Sequence, residues 1–276
     1  MELTLGRFVV EAAVEFGPRV TGMRVQGGEN FLAVLSPDVV VGEPDDPYRL
    51  MGGHRVWASP EVPNITYAPD GHECSVSSEG ESLTIRAGED RVGIVKEISV
   101  TRRGKRLEVV NRLQLTRPLG TSFAAWAITQ FPQGGTAIIP LAGDETAPLP
   151  NRRLVLWPYT SLVDPRVTVR SDVVLMDASG DDQIKLGTGP SPGRLGYWRD
   201  GWLFMKTVED ATGHEVPDMG ANGQVYVGNG FCELESVGGA VAATEGAVAT
   251  VSEVWSLLEC PDLDSAVAWT TGSPTT

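Results

Sequence analysis

The segment Gln224-Val-Tyr-Val-Gly-Asn-Gly-Phe-Cys-Glu-Leu-Glu235 gathers the densest set of side chains able to do chemistry in this chain. Asn229-Gly230 is the strongest short signal for a two-residue hairpin turn. A turn there sets Gln224 opposite Glu235, Val225 opposite Leu234, Tyr226 opposite Glu233 and Val227 opposite Cys232. Successive strand residues point to opposite faces, so one face is apolar (Val225, Val227, Cys232, Leu234) and the other carries Gln224, Tyr226, Glu233 and Glu235. Two carboxylates beside an amide and a phenol suit a polyhydroxylated ligand. Repulsion between the carboxylates raises one of them toward neutrality, as a base working near pH 7 requires. The same alternation also describes the wetted face of an ordinary antiparallel sheet.

His54 and Arg55 follow Gly52-Gly53 and precede Trp57. In a strand, His54 and Val56 would point one way, Arg55 and Trp57 the other, so not all can face one ligand. His54 is a candidate acid or ligand contact, or a structural residue capping a loop. The planar guanidinium of Arg55 suits a sugar hydroxyl, carboxylate or phosphate. His214 and Asp218 share a loop just before the hairpin, from which they could swing over the same face or simply meet solvent. Lys206 ends the apolar run Trp202-Leu-Phe-Met, where a lysine either snorkels or serves a site. Trp126 could stack on a sugar ring, although a tryptophan in an apolar strand more often belongs to the core.

The elements that must position these groups read as strands. Residues 8–16 and 19–25 flank Gly17-Pro18, and residues 82–87, 92–100 and 106–115 form a regular meander. Residues 123–131 make a strongly apolar central strand, and residues 247–258 alternate again behind the hairpin. Residues 37–49 read as a loop, 176–196 as connection around a short strand at 183–186, and the end from Ser265 as a polar tail. No helix is well signalled. One all-β domain over residues 1–264, with residues 265–276 as that tail, is the expected organisation.

The chain has 276 residues and a formal charge of −14, which disfavours nucleic acid and anionic lipid as partners. Lysine occurs only at 96, 105, 185 and 206, which makes each one more informative. Cys74, Cys232 and Cys260 show no metal or disulfide spacing, and no His/Asp/Glu spacing compels a metal. No G-x-S-x-G elbow points to a serine hydrolase, and no glycine-rich phosphate loop leads into a helix. No apolar run approaches the eighteen residues of a membrane span, and no basic, apolar leader opens the chain. A cytoplasmic protein needing no metal or cofactor, with a small-molecule sugar or sugar derivative as partner, is expected.

Taken in order, Gly17-Pro-Arg-Val-Thr-Gly-Met-Arg24, Gly27-Gly-Glu-Asn30, Gly52-Gly-His-Arg-Val-Trp-Ala-Ser-Pro-Glu61, Leu156-Trp-Pro-Tyr159, Leu203-Phe-Met-Lys206, Glu233-Leu-Glu-Ser-Val-Gly238 and Val251-Ser-Glu-Val-Trp-Ser-Leu257 carry a resemblance over roughly residues 5–258. The chain resembles the galactose-mutarotase-like superfamily, in particular a domain-of-unknown-function branch of it. The resemblance implies a β-supersandwich whose large antiparallel sheet offers a concave face to a carbohydrate. It also implies aldose 1-epimerase-like isomerase chemistry, in which a glutamate takes the anomeric hydroxyl proton while a histidine protonates the ring oxygen. Leu234-Glu235-Ser236 resembles the segment holding that glutamate. The strand that holds the histidine in those epimerases corresponds to Trp126-Ala-Ile-Thr-Gln-Phe131, which offers Ile128 or Thr129 instead. His54 or His214 would then have to supply the acid. The alternatives are a non-catalytic sugar-binding or sensor protein, or lyase chemistry on an acidic saccharide using Lys206 or a histidine near Arg55.

Overall fold

A computed structural model of the chain describes residues 1–141, 143, 146–189 and 193–272. Alternating apolar and polar residues build two large, wholly antiparallel sheets. One runs, from edge to edge, through Glu2–Leu5, Phe8–Ala12, Val20–Val25, His54–Ser59, Ala124–Pro132, Phe231–Val237, Gly223–Gly228, Ile184–Thr188 and Val155–Leu156. The other runs through Val167–Val169, Val173–Asp177, Thr136–Pro140, Arg194–Arg199, Trp202–Val208, Val248–Glu259, Arg106–Leu115, Ile94–Arg103, Ser82–Glu89 and Cys74–Glu79. The main core lies between the two, with Val56, Ala127, Phe131, Val225, Leu234 and Ile184 of the first sheet meeting Ile98, Leu113, Phe204 and Trp255 of the second. The architecture is an all-β sandwich.

The central strands of the first sheet are apolar toward that core and carry a second buried cluster on their other face, including Trp57, Trp126, Ile128 and Tyr226. Strand alternation therefore delivers two sets of side chains from the same five strands, one inward and one toward a covered outer face. The hairpin forms with the register its sequence dictates: Gln224 opposite Glu235, Val225 opposite Leu234, Tyr226 opposite Glu233 and Val227 opposite Cys232. Asn229 and Gly230 both take positive φ, 52° and 86°, as a right-twisted two-residue turn requires.

Three segments depart from expectation. The loop 37–49 contains a short ribbon, Val40–Val41 paired with Tyr48–Arg49, held by the buried Arg19, whose guanidinium donates to the Leu50 and Gly52 carbonyls and to Tyr48. Residues 176–196 include not one strand but the end of Val173–Asp177, all of Ile184–Thr188 and the start of Arg194–Arg199. The end from Ser265 is largely helical: Leu263–Thr271 starts at an Asp262 cap accepting from the Ser265 N–H and closes at Gly272, φ 77°. Ala266 and Thr270 are buried, with Thr270 beside the strand glycine Gly196. Small side chains there permit close helix–sheet packing rather than fraying; residues 273–276 lie outside the described residues. No helix among the described residues is long and apolar enough to cross a membrane.

Candidate functional site

Pairing across the first sheet aligns the outward side chains in two rows. Ile128 lies opposite both Arg55 and Glu235, and Glu235 opposite Gln224, giving the row Arg55–Ile128–Glu235–Gln224. Two residues along, Gln130 lies opposite Glu233, Glu233 opposite Tyr226 and Tyr226 opposite Lys185. Trp57 and Trp126 are paired at one end, ring centroids 5.5 Å apart and edge to face. Five strands thus converge a guanidinium, an ammonium, two carboxylates, two amides and several aromatic rings on one patch.

The charges pair diagonally between the rows. Arg55 Nη2 donates to Glu233 Oε1 at 3.0 Å, and Lys185 Nζ donates to Glu235 Oε2 at 2.7 Å. Trp126 Nε1 donates to the same Oε2 at 2.7 Å. Lys185 Nζ also stands 4.5 Å from the Trp126 ring centre and 4.7 Å from that of Trp157, and the Arg55 guanidinium lies 4.1 Å above Trp57. Burial pushes the Glu235 carboxyl up to about 7; the Lys185 ammonium opposes this, and the Glu233 carboxylate adds to it. A carboxyl that titrates near neutrality, with one oxygen fixed by two donors, can accept a proton on the other.

That other oxygen, Glu235 Oε1, has no hydrogen-bond partner among the described residues. Nor do Arg55 Nε and Nη1, Trp57 Nε1, Gln130 Nε2 and Oε1, or Gln224 Oε1, although all seven atoms are buried. Four are donors and three acceptors. Leaving such atoms unmatched costs on the order of 1–3 kcal/mol each, so a native fold rarely gathers them without something to meet them. The patch is flanked from both sides. Thr160 bonds both backbone groups of Lys185 and so brings the loop carrying Trp157 and Tyr159 over it. Across from it, Tyr67 packs edge-on to Trp57 and donates to Glu61. Burial raises both tyrosine hydroxyls, with Glu235 adding to it for Tyr159 and the hydrogen-bonded Glu61 for Tyr67.

Several expected residues do meet here. Glu235, Glu233, Gln224, Tyr226, Arg55 and Trp126 share the face, and Asp218 reaches its margin by accepting from Gln224 Nε2 at 2.9 Å. The histidines do not. His54 points into the inter-sheet core, its Nδ1 2.9 Å from Thr129 Oγ1 and its Nε2 2.8 Å from Asn111 Oδ1, and burial lowers its pKa to about 4. The reason is parity: Arg55 faces outward, so its neighbour must face inward. Gly52 and Gly53, at φ 80° and 71°, fix that phase because a Cβ on either would strike the Ala33 or Val20 carbonyl. His214 is exposed beside Gly239, in a separate groove with Glu209 and Thr250. Lys206 also faces inward from the second sheet, where Nζ donates to Glu253 Oε1 at 2.7 Å and to the Leu234 carbonyl at 3.0 Å. Contrary to expectation, none of His54, His214 and Lys206 is brought to the patch that holds Glu235: His54 and Lys206 face the core and His214 lies in a separate groove.

Lys185, Gln130 and Trp57 are the patch residues not proposed in advance as site residues; Trp157, like Trp126, is readable from the sequence as a ring able to stack on a sugar. Lys185 was findable: it is one of four lysines and alternates with Ile184 and Leu186 in a short strand. No group of three or more His, Cys, Asp or Glu side chains suited to a metal occurs among the described residues.

Against solved structures, the chain is similar over nearly its whole length to a galactose mutarotase-like protein from Lactobacillus casei ATCC 334, with a TM-score of 0.55 at 9% identity, covering 94% of this chain and 99% of that one. This chain has the galactose mutarotase-like fold. Two further similarities agree: a candidate aldose 1-epimerase from Escherichia coli K12 (TM-score 0.56, 10% identity, 94% and 98% coverage) and a candidate mutarotase from Salmonella typhimurium (0.58, 12%, 94% and 90%). No protein-family model and no curated protein sequence matches. On this mutarotase-like sandwich the patch occupies the outward face of the nine-stranded sheet, with Ile128 between Arg55 and Glu235.

Proposed function

We propose that the outward face of the nine-stranded sheet binds an aldose and catalyses exchange of its anomers, with Glu235 as the base. The observation that carries this reading is the set of seven unmatched buried polar atoms on five side chains, among them Glu235 Oε1. Sugar hydroxyls each donate and accept, so one ring satisfies a mixture of donors and acceptors at once. Anomer exchange begins with removal of the O1 proton. A carboxyl titrating near 7 is matched to that step, because it is ionised often enough to act and basic enough to pull.

The charge balance narrows the ligand. Arg55 is paired with Glu233 and Lys185 with Glu235, so the ionised patch carries no net charge and a neutral sugar enters without leaving a buried ion unpaired. Binding without chemistry is a second reading, favoured by the placement of His54 in the core and of His214 in a separate groove, away from Glu235. Saturation-transfer NMR against a panel of neutral aldoses, uronic acids and sugar phosphates tests the ligand class. Transfer to a neutral aldose that is weakened in Gln130→Met supports the assignment to this face. Transfer only to the charged sugars, or to none, rejects it.

A further inference from the structure

We propose that Lys185 is the acid that protonates the ring oxygen, in place of a histidine. The inference rests on the reading of Glu235 as base. Opening a cyclic hemiacetal requires a proton removed from O1 and one delivered to O5. Both oxygens are bonded to C1, so acid and base must stand within a few ångströms of each other. Lys185 Nζ lies 2.7 Å from Glu235 Oε2, although the two residues come from strands that are not adjacent in the sheet.

Three features fit the ammonium for transfer rather than for structure alone. It is 4% exposed yet makes one hydrogen bond among the described residues, to Glu235, so further N–H groups remain for a ligand. The indoles of Trp126 and Trp157 hold it from two sides without accepting a proton. Of the other groups in the two rows, Arg55 does not give up a proton in proteins, and the Tyr226 hydroxyl is engaged with Asn229 at the hairpin tip.

The step balances. Glu235 Oε1 takes the O1 proton, C1=O1 forms as the C1–O5 bond breaks, and Lys185 passes a proton to O5. Rotation about C1–C2 presents the opposite carbonyl face. O5 then attacks C1, its proton returns to the Lys185 amine, and Glu235 reprotonates O1. An ion pair becomes a neutral pair and then an ion pair again, so no net charge is created in the buried site at any stage.

The test compares anomer exchange and aldose binding, by exchange spectroscopy on the same NMR samples, for the wild type, Lys185→Arg, Lys185→Gln and Lys185→His. Arginine keeps the charge beside Glu235 but cannot act as the acid. The expected result is aldose affinity within about threefold for Lys185→Arg, with exchange reduced about a hundredfold or more. Lys185→His is expected to recover part of the rate, with the basic limb of its pH profile moved down toward the histidine range. Wild-type exchange in Lys185→Arg overturns the inference and leaves Glu235 as base untouched. So does weaker affinity with an unchanged maximal rate. If the arginine does not fit, Lys185→Gln exchanging at the wild-type rate is the overturning result. A wild type that binds aldoses without exchanging them overturns the base and the acid together.

Discussion

Lys185 Nζ and Glu235 Oε2 stand 2.7 Å apart, and the same oxygen accepts from Trp126 Nε1 at 2.7 Å. Two donors on one carboxylate oxygen leave the other oxygen with a defined direction and no partner among the described residues. The arrangement fixes a base by the atom it does not use.

Trp126→Phe removes one of those donors while keeping an aromatic ring. The lost hydrogen bond to the charged form raises the Glu235 pKa above its present value of about 7. The acidic limb of the exchange profile, or the carboxyl resonance followed by NMR titration, is expected to move to higher pH. An unmoved limb would detach Trp126 from the ionisation of Glu235.

Gln130 has both side-chain polar atoms buried and unmatched, opposite Glu233. Gln130→Met keeps its length and removes the unmet polarity. Unfolding experiments are expected to find the variant more stable by about 1–3 kcal/mol in the absence of sugar, and binding experiments to find weaker affinity. Loss of stability would mean that the amide is satisfied in the protein alone.

Lys206→Met strands Glu253, which is fully buried and otherwise held by Trp255 Nε1 at 2.8 Å. A cost of about 3–5 kcal/mol is expected in denaturant unfolding, partly recovered in the double variant Lys206→Met/Glu253→Gln. A cost below about 1 kcal/mol, within the range of an exposed pair, would contradict the inward placement of Lys206.

Glu235 and His54 tilt stability in opposite directions with pH. Glu235 holds its proton to about 7 in the folded protein against 4.5 unfolded, so its contribution is complete below 4.5 and lost as pH rises through 7. His54 resists protonation to about 4 in the fold against 6.5 unfolded, so its contribution is complete above 6.5 and lost as pH falls toward 4. Each is worth up to about 3 kcal/mol, and the slopes oppose between pH 4.5 and 6.5. Glu235→Gln is expected to gain stability as pH rises across that window, and His54→Gln to lose it. Urea midpoints at pH 4.5, 5.5 and 6.5 read the slopes; parallel curves for the two variants would contradict the burial of one or both groups.

The hairpin shows what local sequence encodes. Its turn, register and polar face follow from Asn229-Gly230 and a period of two, which involve no distant contact. Parity also separates His54 from Arg55 in advance, but not which of them faces the ligand. That choice depends on Gly52 and Gly53 approaching Ala33 and Val20, a long-range fit. Lys206 illustrates the same limit: its strand is legible, yet only the pairing with Val248–Glu259 brings Glu253 to it. Lys185 joins Glu235 across an intervening strand, so neither residue's neighbours in sequence announce the pair. The final helix is hidden because small residues such as Ala266 and Thr270 read as a tail until Gly196 is seen beside them.

Anomer exchange in Glu235→Gln, compared with the wild type on the aldose it binds, tests the central claim most directly. Glutamine preserves shape and hydrogen bonding at Oε2 but cannot take the O1 proton. The account predicts that the variant still binds the sugar while exchange falls about a hundredfold or more. Exchange at the wild-type rate would contradict Glu235 as the base.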